Sequence, residues 1–167
     1  MPLIVALVFS FALTTALGHI VHWAMHQPWC GPLYIAHSDH HQRYKKDSFT
    51  KSAYEGSSSF IGFVIVFFIV AGIATVLTTL QIVTWKSTSM FLLATAVFAA
   101  LTEIAHTAVH TDERKLPKII AENFFFQRIK LMHIIHHANV KKNFGILVFI
   151  WDRILGTFKN IKSLTGR

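Results

Sequence analysis

Long apolar stretches alternate with polar segments along the chain. Three of them, residues 2–26, 60–80 and 90–110, are almost free of charge, and the second has no ionisable residue. A helix that crosses a bilayer needs about 20 consecutive, predominantly apolar residues. The pattern therefore predicts an all-α fold, an integral-membrane helical bundle with about three long membrane helices.

The polar segments at 27–59 and 111–167 carry fifteen of the sixteen lysines and arginines, whereas the loop 81–89 has only Lys86. Basic residues favour the cytoplasmic side of a membrane. We therefore expect a multi-pass protein with residues 27–59, including a serine-rich turn at 57–59, and 111–167 in the cytoplasm. A cleavable signal peptide is the alternative for the N-terminus, and it fits poorly because a basic leading region is missing.

The tail after residue 111 is mixed in character. It has helix-like pieces around 121–140 and an apolar run at 144–155. That run is too short to span a bilayer, so we expect it to lie at the level of the headgroups.

Composition agrees with a membrane protein of one domain, residues 1–167. Apolar residues make up 53% of the chain and charged residues 14%, against about 25% charged in soluble domains. The single cysteine, Cys30, excludes an internal disulfide and any cysteine-rich zinc or iron–sulfur site. The net charge of +8 follows from membrane orientation, and we expect no nucleic-acid binding.

Ten of the eleven histidines fall into four clusters with a repeated order, HxxxH then HxxHH in each half of the chain. The clusters are His22 and His26; His37, His40 and His41; His106 and His110; His133, His136 and His137. On a helix, residues three or four apart share a face, and imidazole is a ligand for iron, zinc, copper or nickel. Ten such rings exceed what one ion can bind, so the pattern predicts two metal ions.

Topology predicts that the clusters meet. Two membrane crossings separate the halves of the chain, and an even number of crossings returns it to the same side. The ten rings should therefore form a histidine-rich helical cap on the cytoplasmic face. His19 falls outside the pattern, and we expect it to be an interfacial polar residue. The alternative is a supporting role behind the ligands, because His19 shares a helical face with His22 and His26.

Metal-ligating histidines usually donate their second N–H to a carboxylate or a carbonyl, which fixes the ring. Asp39, Glu103, Asp112, Asn139 and Asp152 are candidates for this role. The alternative for Asp39 is a solvated charge, and the alternative for Asp152 is a structural pair with Arg153. Glu103 stands out because it lies one helical turn before His106 within an apolar stretch, where ionisable residues are usually functional.

These clusters, with the continuation HHAN, the motif NFG at 143–145 and WDRILGT at 151–157, resemble the fatty acid hydroxylase superfamily, which includes sterol desaturases. The resemblance implies a non-haem di-iron oxygenase that hydroxylates or desaturates a lipid such as a fatty acyl chain or sterol. It implies two iron ions, which zinc can replace in purified protein, held by the ten histidines. It also implies an external electron donor, such as cytochrome b5 or ferredoxin, with its reductase.

Three alternatives remain at this point. A carotenoid ring hydroxylase would use the same histidine plan and is close in chain length. A metal transporter would place ligands near the bilayer midplane on interrupted helices, whereas these clusters lie at the ends of apolar stretches. A zinc hydrolase of the HExxH type is disfavoured because that motif is absent from the sequence.

Overall fold

The computed structural model describes residues 3–44 and 57–160, and in these two ranges the chain forms helices and no strand. The all-α prediction is therefore confirmed for this part of the chain. Residue 2, at the start of the predicted first span, and the basic residues Lys45, Lys46 and Lys51 of the predicted cytoplasmic segment lie outside the described residues.

Three long helices form the bundle: α1 (Leu3–Met25), α3 (Ser57–Thr79) and α4 (Trp85–His110), and each packs against the other two. All three are long and apolar enough to cross a membrane. Much of their outer surface is made of exposed Leu, Ile, Val and Phe side chains, which suits a helix surrounded by lipid rather than water.

Two boundaries differ from the predicted ones. α4 begins at Trp85 instead of residue 90, because the Thr84 side chain accepts a hydrogen bond from the Ser87 N–H at 3.3 Å and caps the helix. The predicted loop at 81–89 is correspondingly shorter. α3 begins at Ser57, so the serines that we expected in a turn belong to its first turn.

The polar segment after α1 is also helical. A short 3-10 turn at Pro28–Cys30 leads to α2 (Pro32–Arg43). Gly31 between them has a φ of +56°, a conformation that costs glycine nothing and other residues energy. The sharp reversal at Gly31 brings α2 back against α1 and α3.

The tail contains a second 3-10 turn, Glu113–Lys115, and three helices: α5 (Lys118–Ala121), α6 (Phe124–Ala138) and α7 (Ile150–Ile154). α6 falls within the helical piece predicted at 121–140. Its first turn is capped by the Asn123 side chain, which accepts hydrogen bonds from the N–H groups of Phe125 and Phe126.

The apolar run at 144–155 is buried against the bundle at its start, whereas Ile150, Ile154 and Leu155 are exposed. Phe144 and Ile146 are 3% and 9% exposed. The Trp151 indole N–H donates to the Thr15 hydroxyl at 3.0 Å, which attaches α7 to α1. The run therefore closes over the end of α1 that carries its histidines.

Candidate metal centre

The four histidine clusters lie together at one end of the bundle. α4 carries an HxxxH pair on its last turn, and the other HxxxH pair has His22 on the last turn of α1 and His26 directly after it; α2 and α6 each carry an HxxHH triple. Eight of the ten rings are buried, and His26 and His137 are half-buried. The helices thus bring the predicted ligand residues into one enclosed volume.

Nine of these rings form two groups in which all the potential ligand atoms lie within 4.8 Å of one another. The first group is His22, His26, His37, His41 and His136, and the second group is His40, His106, His110 and His133. Each group is compatible with a metal ion.

The middle histidine of each HxxHH triple belongs to the group that is formed mainly by the other half of the chain. α2 gives His37 and His41 to the first group but His40 to the second, and α6 gives His136 to the first group but His133 to the second. Residues four apart on a helix differ by about 40° in direction, whereas neighbours differ by about 100°. Adjacent histidines in an HH pair therefore face different groups.

His137 is the counterpart of His41 in this arrangement. Its Nε2 lies 3.1 Å from Nε2 of His133, and its ring centroid lies 4.8 Å from that of His110. Its ring also stacks on His41, with centroids 4.0 Å apart. His137 thus stands beside the second group, between it and the first.

Within the groups the Nε2 atoms face one another at close range. The Nε2 atoms of His26 and His136 are 3.1 Å apart, and those of His110 and His133 are 2.9 Å apart. Imidazole nitrogens about 2.1 Å from one ion, at right angles to each other, would also be about 3 Å apart. The spacing therefore fits rings that converge on a shared cation.

Backbone carbonyls fix the protons of two rings. Nδ1 of His136 donates to the Lys142 carbonyl at 2.7 Å, and Nδ1 of His22 donates to the Phe144 carbonyl at 2.6 Å. A neutral imidazole carries one N–H, so Nε2 of each ring presents a lone pair to the first group. This is the orienting contact that metal-bound histidines make.

Sequence reasoning placed this orienting role on side chains, and two of those side chains make other contacts. Asp39 instead forms an ion pair with Arg43 at 2.8 Å, and both side chains are about half exposed. Asn139 ends α6, and its side chain accepts from the Lys141 N–H at 3.2 Å. Asn139 therefore shapes the turn that delivers the Lys142 carbonyl to His136.

Two further acidic candidates have different outcomes. Asp112 caps the 3-10 turn after α4 and pairs with Arg114 at 2.6 Å, away from the rings. Glu103 is half-buried on α4, one turn before His106, and its role there stays a prediction.

Asp152 is fully buried and acts on the rings through the backbone. Its Oδ1 accepts from the Phe144 N–H and its Oδ2 from the Gly145 N–H, both at 2.8 Å. The Thr157 hydroxyl donates to Oδ1 at 2.7 Å. Asp152 thus holds the peptide whose carbonyl receives the His22 proton, a less direct contact than the one predicted for it.

His19 is not an interfacial residue, because it is only 4% exposed. Its Nδ1 lies 3.6 Å from Oδ2 of Asp152, and its ring contacts Phe144 edge-on. Burial disfavours the charged form of Asp152, but the neighbouring His19 and the bonds from Thr157 and Gly145 outweigh this and lower the pKa of the carboxyl. His19 therefore belongs to the structure behind His22.

The electrostatic environment keeps the rings neutral. Burial is the main cause that lowers the pKa of His40 to about 4. Burial and neighbouring imidazoles lower the pKa of His133 and His136 well below 6.5. Neutral imidazole is the form that binds metals, so these rings are available as ligands at neutral pH.

Tyr44 was not identified from the sequence, and it is 2% exposed at the end of α2. Its ring packs against His110 and His40, with centroid distances of 4.4 and 5.0 Å. A tyrosine three residues after a histidine cluster has no spacing signature, and its contact with α4 arises only from the packing of the helices.

A largely apolar cavity adjoins both groups. Its lining includes His22 and His37 of the first group and His106 of the second, and it extends between α1, α3 and residues 144–148. A substrate in this cavity would therefore touch both groups from the side of the membrane helices.

Comparison with known proteins gave one match. A family model described as fatty acid hydroxylase matches residues 7–157, a range that includes all four histidine clusters and α7. No curated protein and no solved structure matched the chain.

Proposed function

Because the chain belongs to the fatty acid hydroxylase family, we propose that it is a membrane-bound, non-haem di-iron oxygenase that hydroxylates or desaturates a lipid. The observation that carries the proposal is the juxtaposition of two groups of converging imidazoles with a largely apolar cavity between the long apolar helices. An apolar substrate and a pair of metal ions would meet at that junction.

Each group would hold one ion. In the first group the five rings supply nitrogen ligands, and the carbonyls of Lys142 and Phe144 fix two of them. In the second group His137 would join the four rings that already converge, by its correspondence with His41. Imidazole ligands alone do not select iron from zinc or copper, so iron is proposed for its chemistry.

Two irons would supply the oxygen activation that breaks an unactivated C–H bond, which acid–base groups cannot do. In hydroxylation, one atom of O2 enters the C–H bond and the other leaves as water, with two electrons and two protons taken from a reductant. In desaturation, the substrate loses two hydrogens, the reductant again supplies two electrons and two protons, and both oxygen atoms leave as water. The chain's own task is to hold the substrate and exclude bulk water.

The electrons would come from a separate protein, such as cytochrome b5 or a ferredoxin with its reductase. The tail that closes over the centre is rich in lysine and arginine. A basic surface attracts an acidic partner and speeds its association at low salt.

The proposed orientation places the metal centre at the cytoplasmic face. The fold supports this because α1 and α4 both end at the centre, and the basic segments follow directly after them. The positive-inside rule then puts that end of the bundle in the cytoplasm.

Comparative lipid mass spectrometry in an expression host tests the proposal. Cells that make the wild-type protein should contain a lipid with one added oxygen or with two fewer hydrogens. Cells that make His136→Ala should not, since this change removes a ring of the first group. Asp39→Asn alters only an exposed ion pair and should retain the product.

Metal analysis of the purified proteins completes the test. The wild type should contain about two irons per chain, as two separate groups of ligands require. Two results would contradict the proposed function. One is an unchanged lipid profile in cells whose wild-type protein is loaded with iron, and the other is lipid oxidation that persists after iron is removed.

A further inference from the structure

The cavity beside the metal centre is elongated along α1. Along α1 it follows His22, Gly18 and Thr14, which lie on one face at intervals of four residues. Eight residues of helix rise by about 12 Å, so the cavity extends well into the membrane-spanning part of the bundle.

The walls of the cavity are mostly apolar. Met25 and Phe63 line it at the histidine end, and Ile146 and Leu147 line it from the segment that closes the site. Towards Thr14 the lining also includes the hydroxyl side chains of Thr15 and Thr102. A largely apolar space that begins at two ligand groups and follows α1 suits a hydrocarbon chain that lies along the helix.

Gly18 borders the space one turn below His22. A Cβ added at Gly18 would have no heavy atom within 4 Å, so its absence leaves open volume rather than close packing. Gly62 on the opposite helix differs, because its added Cβ would lie 3.2 Å from the Met25 sulfur. Gly62 is explained by helix packing, and Gly18 by the cavity that it borders.

We propose that this cavity takes the straight alkyl chain of the substrate, and that Gly18 determines how far the chain can extend beyond the metal centre. The proposal rests on the proposed function, since it names the substrate class of that same site. A large side chain at Gly18 would fill the deep part of the cavity and leave only the part next to the histidines.

The structure offers a matched control for this change. Gly72 is also a helical glycine in a membrane-spanning segment, and a Cβ added there also meets nothing within 4 Å. Gly72 is exposed on the outside of α3 and does not line the cavity. Gly18→Leu and Gly72→Leu therefore make the same chemical change inside and outside the proposed channel.

The first measurement is chain-length selectivity in host cells supplied with decanoic and stearic acids. Gly18→Leu should lower the yield of oxidised long-chain product relative to short-chain product by about tenfold, the effect of losing contacts with about two methylene groups. Gly18→Ala should give an intermediate shift. Gly72→Leu should keep the wild-type ratio, and all variants should retain wild-type iron content.

The second measurement does not depend on activity. Purified, iron-loaded protein is photolabelled with stearic acid that carries a diazirine at its terminal carbon. Thr14 and His19 are 3% and 4% exposed, so lipid outside the bundle does not reach them. Adducts at these two residues should appear in the wild type and in Gly72→Leu, and should be lost in Gly18→Leu.

The outcomes separate this proposal from the function on which it rests. Adducts at Thr14 and His19 without any oxidised lipid would leave the channel standing and contradict the oxygenase function. Oxidised lipid with an unchanged chain-length ratio in Gly18→Leu, or adducts that persist in that variant, would overturn the channel.

Discussion

The Phe144 carbonyl oxygen lies 2.6 Å from Nδ1 of His22, and this hydrogen bond joins residues 122 positions apart. It makes the segment after α6 part of the frame of the metal centre. Asp152 fixes the same segment by accepting the N–H groups of Phe144 and Gly145. A substitution at Asp152 should therefore alter the orientation of the His22 ring, although the two side chains do not bond to each other.

Asp152→Asn should weaken metal binding by the first group. The amide nitrogen of asparagine would face an N–H donor, so at least one of the two bonds from residues 144 and 145 would be lost. Changes in the groups that orient ligands typically lower metal affinity by about 10–100-fold. Competition with a chelator should remove one iron from the variant before the wild type loses any.

Asp39→Asn is the control for this experiment, because it neutralises an exposed carboxylate outside the centre. Equal iron retention in Asp152→Asn and the wild type would show that the loop holds its shape without the carboxylate, and that Asp152 does not position His22.

A second prediction follows from the assignment of His40 and His136 to the group formed mainly by the other half of the chain. His37 and His41 belong to the same group, whereas His40 and His41 belong to different groups although they are adjacent. The double variant His37→Ala/His41→Ala should keep about one iron per chain, because the second group is intact. The double variant His40→Ala/His41→Ala should keep less, since both groups are damaged.

Iron content per chain, measured by mass spectrometry of digested protein, distinguishes the two variants. If His40→Ala/His41→Ala retained as much iron as His37→Ala/His41→Ala, the two-group assignment would be wrong. A single mixed site would lose its metal equally in both.

The apolar stretches in the sequence were sufficient to predict three long apolar helices, and the histidine spacing with the even number of crossings predicted that ten rings meet at one end. It did not predict that His40 and His136 each cross to the other half's group, because this depends on how α2 and α6 are rotated against α1 and α4. Local spacing determines which rings share a helix face. Only the packing of the helices determines which faces of α2 and α6 contact α1 and α4.

The groups that orient the rings were harder to predict. The Lys142 and Phe144 acceptors are backbone carbonyls, which every residue possesses, so no residue type identifies them. Asp39 and Asn139 were chosen as polar neighbours in sequence, yet both sit on outer turns. His19 was assigned to the membrane surface because the sequence does not reveal that residues 144–152 fold over it.

The ion pair between Lys130 and Glu113 joins α6 to the turn that follows α4, at 2.8 Å. Lys130 is 7% exposed, whereas the Glu113 side chain is about half exposed. Glu113→Gln should lower thermal stability, because it leaves a buried ammonium without its carboxylate. Glu113→Gln/Lys130→Met should recover part of the loss, as both charges are then gone.

Thermal unfolding of the purified proteins checks this prediction, with Asp112→Asn as a control that removes a neighbouring carboxylate paired with Arg114 outside the core. A double variant that is less stable than Glu113→Gln would mean that Lys130 stabilises α6 through contacts other than the ion pair.

The metal-free protein should become less stable as the pH falls below neutral. Burial lowers the pKa of His40 to about 4 and lowers the pKa of His133 and His136 well below 6.5, whereas in the unfolded chain these rings have a pKa of about 6.5. Between these values the unfolded state binds more protons, so acid favours unfolding. One such ring alone contributes a loss of up to ~1.4 kcal/mol per pH unit in this window.

The unfolding midpoint of the chelator-treated protein should therefore be flat above about pH 7 and fall by several degrees towards pH 5. Replacing buried rings with a residue that does not titrate, as in His40→Gln/His133→Gln, should make the pH dependence shallower even where it lowers the midpoint overall. Iron should shift the decline to lower pH, because the metal competes with protons for the same nitrogens. A midpoint that stays constant between pH 7 and 5 without metal would show that the rings are not held neutral by burial.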